Sequence, residues 1–281
     1  MSFKIITADE RMENHSGIKG QIWGPCGIGK TSLLWTLDPE TTLALDLEAG
    51  MLSVQGWKGQ SMSISTWPDC RDATVWLCGP NPALRPDQFY SQAHYDYVIS
   101  QAGPPPEGIK TIFIDSTTNA GRYCLQWATG QPRAFSEKTG KPDMRGAYGL
   151  LGQEIVAWVE QWQHAPSLNV WLVGGLEERT DDFNRMFWTP LLEGAKGAQC
   201  IPYVFDQVVT MQTIRPPEGA PYRAFVCTSP NPWGYPAKDR SGRLDQIEEP
   251  HLGRLMDKIR GPKPETIMNY AIETTTTEET K

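Results

Sequence analysis

The run Gly24-Pro25-Cys26-Gly27-Ile28-Gly29-Lys30-Thr31 constrains this chain more than any other stretch of its sequence. It sits between an apolar strand-like segment, residues 17–23, and a helix-forming segment, residues 31–37, that Asp38-Pro39 ends. Glycines at 24, 27 and 29 let successive backbone N–H groups curl around an anion where a side chain would block the approach. A helix that starts at the loop points its positive end at the same place. The spacing Gly-x-x-x-x-Gly-Lys-Thr, in strand–loop–helix context, is the Walker A pattern. Its lysine reaches the phosphates of a nucleoside triphosphate and its threonine hydroxyl ligates Mg²⁺. Gly24, Pro25, Cys26, Gly27, Ile28, Gly29, Lys30, Thr31 and Ser32 are therefore the expected nucleotide contacts, with ATP and Mg²⁺ as cofactors.

Such a loop needs a second acid at the end of a buried strand to hold Mg²⁺. Ile112-Phe113-Ile114-Asp115 supplies three apolar residues and then the carboxylate. Asp115 is the metal candidate beside Thr31, and it could also cap the helix that follows. Hydrolysis further requires a group that orients water. In Leu45-Asp46-Leu47-Glu48-Ala49-Gly50, Glu48 lies just past a strand that follows the loop helix, on the sheet edge where ligands bind in such folds. Asp46 is its competitor, but falls within the strand pattern. Glu48 and Lys30 are the catalytic candidates.

Apolar runs at residues 17–23, 42–47, 110–115 and 169–174 alternate with helical stretches at about 118–129 and 145–164. This alternation predicts an α/β fold, a mostly parallel central sheet flanked by helices. Residues 203–213 and 222–228 read as an antiparallel β extension near the C-terminus, followed by a helix at 251–260. Residues 3–7 and, more weakly, 61–66 are further strand candidates, and Pro68 opens a helical segment. One domain is expected over residues 1–262, with a proline-bracketed surface insertion at about 78–108 around a helix at 88–101. Residues 263–281, ending ETTTTEETK, form an acidic tail of low complexity, expected to be disordered.

The net charge of -7 and a pI near 5.2 argue against a protein coated in nucleic-acid-binding charge, and leave room for a local basic patch. No apolar run approaches the ~20 residues that span a bilayer. The first ten residues carry acids and no basic segment leading into an apolar one, so no secretory signal is read and a cytoplasmic location is expected. Six cysteines without a C-x-x-C pair, and four scattered histidines, give no support to a zinc site. Trp158 and Trp162, on one face of a predicted helix, read as core.

The order of the glycine loop, "LALDLEAG", "TIFIDST" and "NVWLVGG" resembles the RecA-type ATPase core. More closely, the chain is similar to small phage-encoded RecA-like ATPases, including the Sak-type single-strand annealing proteins. Pro190-Leu191-Leu192-Glu193-Gly194, Phe205-Asp206-Gln207-Val208 and Lys238-Asp239-Arg240-Ser241-Gly242 carry that likeness. The resemblance implies a DNA-dependent ATPase acting on single-stranded DNA in phage recombination or replication, inside a bacterial host. It also implies a homo-oligomeric ring or filament, and a single-strand binding protein as a further partner.

Where RecA proteins place a glutamine as γ-phosphate sensor, this chain has Gly174-Gly175-Leu176-Glu177-Glu178-Arg179, leaving Glu177 and Arg179 as sensor candidates. The two DNA-contacting loops of the family correspond to residues 130–146, with Arg133, Lys138, Lys141 and Arg145, and about 178–197, with Arg185, Lys196 and the aromatics Phe183, Phe187 and Trp188. A solvated mixed-charge loop is the plain alternative for both. Two other functions remain compatible with the motifs: a small-molecule or nucleoside kinase with residues 137–145 as a lid, and a nucleotide-gated protein-interaction module.

Overall fold

A computed structural model describes Ile5, Thr7, residues 17–165 and residues 167–262, without the side chains of residues 195, 196 and 198. The strand expected at residues 3–7, the acidic tail and the Lys196 side chain lie outside the described residues.

Ten strands form one sheet among the described residues. In chain order they are β1 (Lys19–Gly24), β2 (Thr42–Asp46), β3 (Gln60–Ser63), β4 (Thr111–Asp115), β5 (Asn169–Thr180), β6 (Met186–Leu191), β7 (Gln207–Ile214), β8 (Tyr222–Val226), β9 (Lys238–Asp239) and β10 (Ile247–Glu248). Their spatial order is β10-β8-β7-β1-β5-β4-β2-β3, with β6 pairing with β5 and β9 with β7. The run from β7 through β3 is parallel, while β6, β8, β9 and β10 pair antiparallel. The expected mostly parallel sheet with a C-terminal antiparallel extension is what forms.

Side chains of the parallel strands alternate between two cores, because successive residues of a strand point to opposite faces. Trp23, Leu43, Leu45, Ile112, Ile114, Val170 and Leu172 enter one core, beneath the helices α1 (Trp67–Cys78), α3 (Thr117–Thr129), α4 (Met144–Gln163) and α5 (Ala195–Val204). Ile22, Ala44, Phe113, Trp171 and Val173 enter the other, beneath the 3-10 turns Thr31–Thr36 and Met51–Val54 and the helix α6 (Leu252–Arg260). Burial on both faces explains why these strands read as continuous apolar runs. Trp158 and Trp162 are core residues, packed edge-on to one another.

At the centre of the sheet, glycine and tryptophan are matched across the β1–β5 register. Gly20 lies opposite Trp171, and Trp23 lies opposite Gly174. A Cβ on Gly20 would come within 2.1 Å of the Trp171 ring, and one on Gly174 within 2.2 Å of the Trp23 ring. Each indole therefore occupies the space that the facing glycine leaves, and both tryptophans are fully buried.

The segment from 79 to 110 contains α2 (Gln92–Ala102), which begins four residues later than the sequence reading places it. It is clasped to α1 by Trp76 Nε1 donating to Gly103 O (2.7 Å) and by His94 Nε2 against Asp72 Oδ1 (2.9 Å). Two further departures concern helices. The segment after the glycine loop is a six-residue 3-10 helix, since Thr, Trp and Asp38-Pro39 leave too little good helix former to propagate α geometry. Residues 195–204 form α5, whose Gly197 and Pro202 obscure its helical period; Tyr203 and Val204, expected to open a strand, end this helix instead, and β7 begins only at Gln207.

The other departure is the region expected as a mobile loop at about 178–197. β5 does not stop at Gly174 but runs on to Thr180, turns at Asp181–Arg185 and returns as β6. Asp181 Oδ1 accepts from the backbone N–H of Phe183 and of Arg185 and so closes the turn. Residues 176–180 carry the strand about 17 Å past the edge of the parallel sheet. No helix among the described residues is long and apolar enough to cross a membrane.

Candidate nucleotide-binding site

β1 ends at Gly24, and the chain there is crowded: a Cβ on Gly24 would fall 2.7 Å from Met211 O. Gly29 has φ +101°, a left-handed conformation that an L side chain rarely adopts. These constraints fix a loop whose backbone is bare toward the carboxyl edge of the sheet. Lys30 Nζ donates to the carbonyls of Gly24 (3.0 Å) and Pro25 (2.9 Å), which holds the ammonium over the loop. Burial lowers the Lys30 pKa, and the nearby Asp115 and Glu48 carboxylates work against that.

The neighbouring strands bring the acids in. Thr31 Oγ1 donates to Asp115 Oδ2 at 2.5 Å, joining the loop to the end of β4. Burial pushes the Asp115 carboxyl up to about 6, despite the Thr31 hydroxyl and the Lys30 ammonium, with the Glu48 carboxylate adding to the rise. The next residue, Ser116, caps α3 by accepting from Asn119 N and donates its hydroxyl to Glu48 Oε1. The turn that carries Glu48 is pinned from several sides. Leu47 N donates to Asp115 O (2.7 Å), and Leu47 O accepts from Asn119 Nδ2 (2.9 Å) and Tyr123 OH (2.8 Å).

Of the two acids after β2, Asp46 is buried and its Oδ1 accepts from the backbone N–H groups of Glu48 and Gly50. Glu48 is exposed into a cavity of about 610 Å³, which Lys30, Thr31, Ser32, Cys26, Gly27, Gly29 and Asp115 also line. Lys30, Thr31, Asp115 and Glu48, drawn from three separate parts of the chain, thus meet around one space. Phosphates seated on the loop would have Lys30 and the backbone N–H groups on one side and the two carboxylates on the other.

The residues suit Mg²⁺. Asp115 is a buried carboxylate held at a cost, with a threonine hydroxyl against it, and a divalent cation would relieve its unfavourable ionisation. No group of three or more His, Cys, Asp or Glu able to cage a metal occurs among the described residues. Mg²⁺ takes one or two protein oxygens and draws its remaining ligands from phosphate and water.

A family model, the AAA domain, matches residues 16–241, a span that contains the loop, both carboxylates and the sheet from β1 through β9. The chain belongs to the AAA domain family. As a member, it carries a P-loop ATPase domain, and Lys30, Thr31, Asp115 and Glu48, which line one cavity, all fall within the matched span. No curated protein matches the chain. Among solved structures, it is similar to a prototypical ATPase from the type III secretion system of pathogenic bacteria. The two are 13% identical, with a TM-score of 0.35, over 70% of this chain and 51% of that one. The chain therefore spans about half the length of that ATPase.

Other candidates fall elsewhere on the AAA domain. Glu177 and Arg179 pair with each other (2.5 Å) on the projecting part of β5, outside the cavity lining. At the root of β5, Thr118 occupies the cavity wall instead. Its hydroxyl accepts from Gly175 N (2.9 Å) and donates to Leu191 O (3.0 Å). Arg133 donates to Gln153 Oε1 (2.8 Å), while Lys138 and Lys141 are exposed on the loop between α3 and α4, which an isolated bridge between Phe135 and Pro142 closes, and Arg145 is exposed in the first turn of α4. Arg185 lies against Asp181 Oδ2 (2.8 Å) and over the Phe183 ring.

Sequence reasoning missed Thr118, Arg122, Arg223 and the cavity residues Gly175, Leu176 and Leu191. The helical spacing that follows Asp115 could have found Thr118 and Arg122, which stand four apart on α3. Arg223 is brought in by a strand pairing that leaves no local signal.

Proposed function

We propose that this chain is an ATP-hydrolysing, RecA-like protein that acts on single-stranded DNA in phage recombination or replication, of the Sak type, and assembles as a homo-oligomeric ring or filament. The observation that carries this reading is the β5–β6 hairpin. Its roots, Gly175, Leu176 and Leu191, are part of the nucleotide cavity wall, and its outer part carries the exposed Phe183, Met186 and Phe187. Aromatic side chains on a projecting element form stacking platforms that tolerate any base sequence. Both arginines of the hairpin have acidic partners, so stacking would carry more of the contact than charge.

The loop with Lys138 and Lys141, with Arg145 in the turn of α4 that follows it, supports the same reading by its position. α4 runs alongside α1 in the same direction: Glu154 accepts from Trp67 Nε1, and Gln161 Nε2 donates to Gly79 O. α1 starts at the carboxyl edge of the sheet, so the first ten or so residues of α4 extend ~15 Å beyond that edge, and the basic loop hangs there, on the side of the phosphate site.

Within this reading Glu48 orients the attacking water and Lys30 steadies the phosphates, and a single-strand binding protein is a natural further partner. The test is ATP turnover with and without single-stranded DNA, on wild type and Glu48→Ala. Stimulation by DNA, with turnover lost in Glu48→Ala while ATP still binds, is the expected result. Turnover indifferent to DNA, with phosphate appearing on a small acceptor, would overturn the reading in favour of a kinase.

A further inference from the structure

The described arginines at the surface mostly have visible employment. Arg85, Arg179, Arg185, Arg240 and Arg254 each lie against a carboxylate. Arg223 differs. It stands on β8, opposite Thr213 of β7, and no carboxylate pairs with it among the described residues. Its guanidinium instead lies against the glycine loop: an atom at the Cβ position of Gly29 would be 3.0 Å from Arg223 Nη1, with the Met211 methyl also in reach at 3.9 Å. The side chain thus passes from β8 across β7 to the loop and forms part of the cavity wall with Lys30 and Thr31. An unpaired guanidinium held over a phosphate loop is a ready donor to phosphate oxygens, in the planar geometry they accept well.

The order of the strands says which phosphates. Asp115 and Glu48 approach the loop from the β4 and β2 side, whereas Arg223 approaches from the β7 and β8 side. If the γ-phosphate faces the two carboxylates, as the proposed hydrolysis requires, the rest of the nucleotide lies toward the opposite flank. We infer that Arg223 grips the phosphates that remain after hydrolysis, so that it contributes to binding ATP and ADP alike rather than distinguishing them. The inference rests on the nucleotide reading of the cavity.

The test compares binding of fluorescently labelled ATP and ADP to wild type, Arg223→Ala and Arg223→Lys, with Mg²⁺ present. Removing a charge-assisted hydrogen bond of this kind weakens affinity by about tenfold or more. Arg223→Ala is expected to lose that factor for both nucleotides, and Arg223→Lys to recover part of it, with nucleotide-free melting temperatures equal to wild type because the side chain is exposed. Loss for ATP with ADP unchanged would overturn the inference and make Arg223 a reader of the γ-phosphate. Equal affinities in all three proteins would overturn it outright while leaving the nucleotide site standing. Wild type that binds neither nucleotide would sink the nucleotide reading, and this inference with it.

Discussion

Replacing Asp115 by Asn should stabilise the nucleotide-free protein while abolishing its turnover. Asp115 is buried at the end of β4, and its carboxyl is pushed from 3.8 up to about 6, chiefly by burial. At 1.36 kcal/mol per pKa unit, a carboxyl held there carries about 3 kcal/mol of unfavourable ionisation at neutral pH. The sign follows from proton linkage. Below pH 4 the group is protonated in the folded and unfolded states, and no penalty exists. Between pH 4 and 6 the unfolded chain loses its proton first, so stability falls as pH rises, and above about pH 6 the whole penalty is present. Asn keeps an oxygen for the Thr31 hydroxyl and has no charge to desolvate. Asp115→Asn should therefore gain about 1–3 kcal/mol over wild type at pH 8, with the gain vanishing toward pH 4. Urea unfolding of both proteins at pH 4, 6 and 8, without nucleotide or metal, measures this. Mg²⁺ and ATP should then raise the wild-type midpoint and leave that of Asp115→Asn nearly unmoved. A variant less stable than wild type at pH 8, or a gain of equal size at pH 4, would refute the electrostatic argument.

Gly174→Ala should destabilise the sheet, because its Cβ would fall 2.2 Å from the Trp23 ring. Overpacking at such a site costs about 1–3 kcal/mol, a drop on the order of 5 °C in Tm. Gly149→Ala, which meets nothing within 4 Å on α4, is the matched control and should melt no lower than wild type. Phe183→Ala with Phe187→Ala should weaken single-stranded DNA binding by about 1–3 kcal/mol for each stacked base, read by fluorescence anisotropy. Unchanged affinity would remove the hairpin from the interface. Neutralising Arg133, Lys138 and Lys141 together should flatten the dependence of log affinity on log salt by roughly 0.7 for each phosphate these side chains neutralise, and an unchanged slope would exclude that loop.

The parallel core was legible because its strands are buried on both faces, so residues 42–47 and 110–115 announce themselves as apolar runs. Asp115 and Glu48 were legible because each follows such a run directly. The hairpin was not, for a physical reason. Past Leu176 the strand leaves the core, its residues Glu177, Glu178, Arg179 and Thr180 are polar, and β6 contains Pro190. The outer part of β5 has neither the apolar run nor the alternation that marks a strand in sequence, and the proline in β6 argues against a strand where only its inner residues, Trp188 and Pro190, are covered. The paired Gly20–Trp171 and Trp23–Gly174 contacts were half legible. A glycine inside a strand signals close approach, but the register that supplies its tryptophan is a long-range fact.

That same register determines what the hairpin can do. β5 lies between β1, which bears the phosphate loop, and β4, which bears Asp115. A strand in that position, continued past the sheet edge, must leave the fold between the cation and the acid of the site. Thr118, in the first turn of α3 just beyond Asp115, hydrogen-bonds to both roots of the hairpin, at Gly175 and Leu191. Any movement of the Asp115–Thr118 segment therefore bears on a hairpin about 17 Å long, and its aromatic tip would move by more than its base. Because coupling is reciprocal, a ligand that fixes the tip must bias the same segment that faces the phosphates. The position of β5 in the sheet is thus what gives the proposed dependence of ATP turnover on DNA a mechanical route.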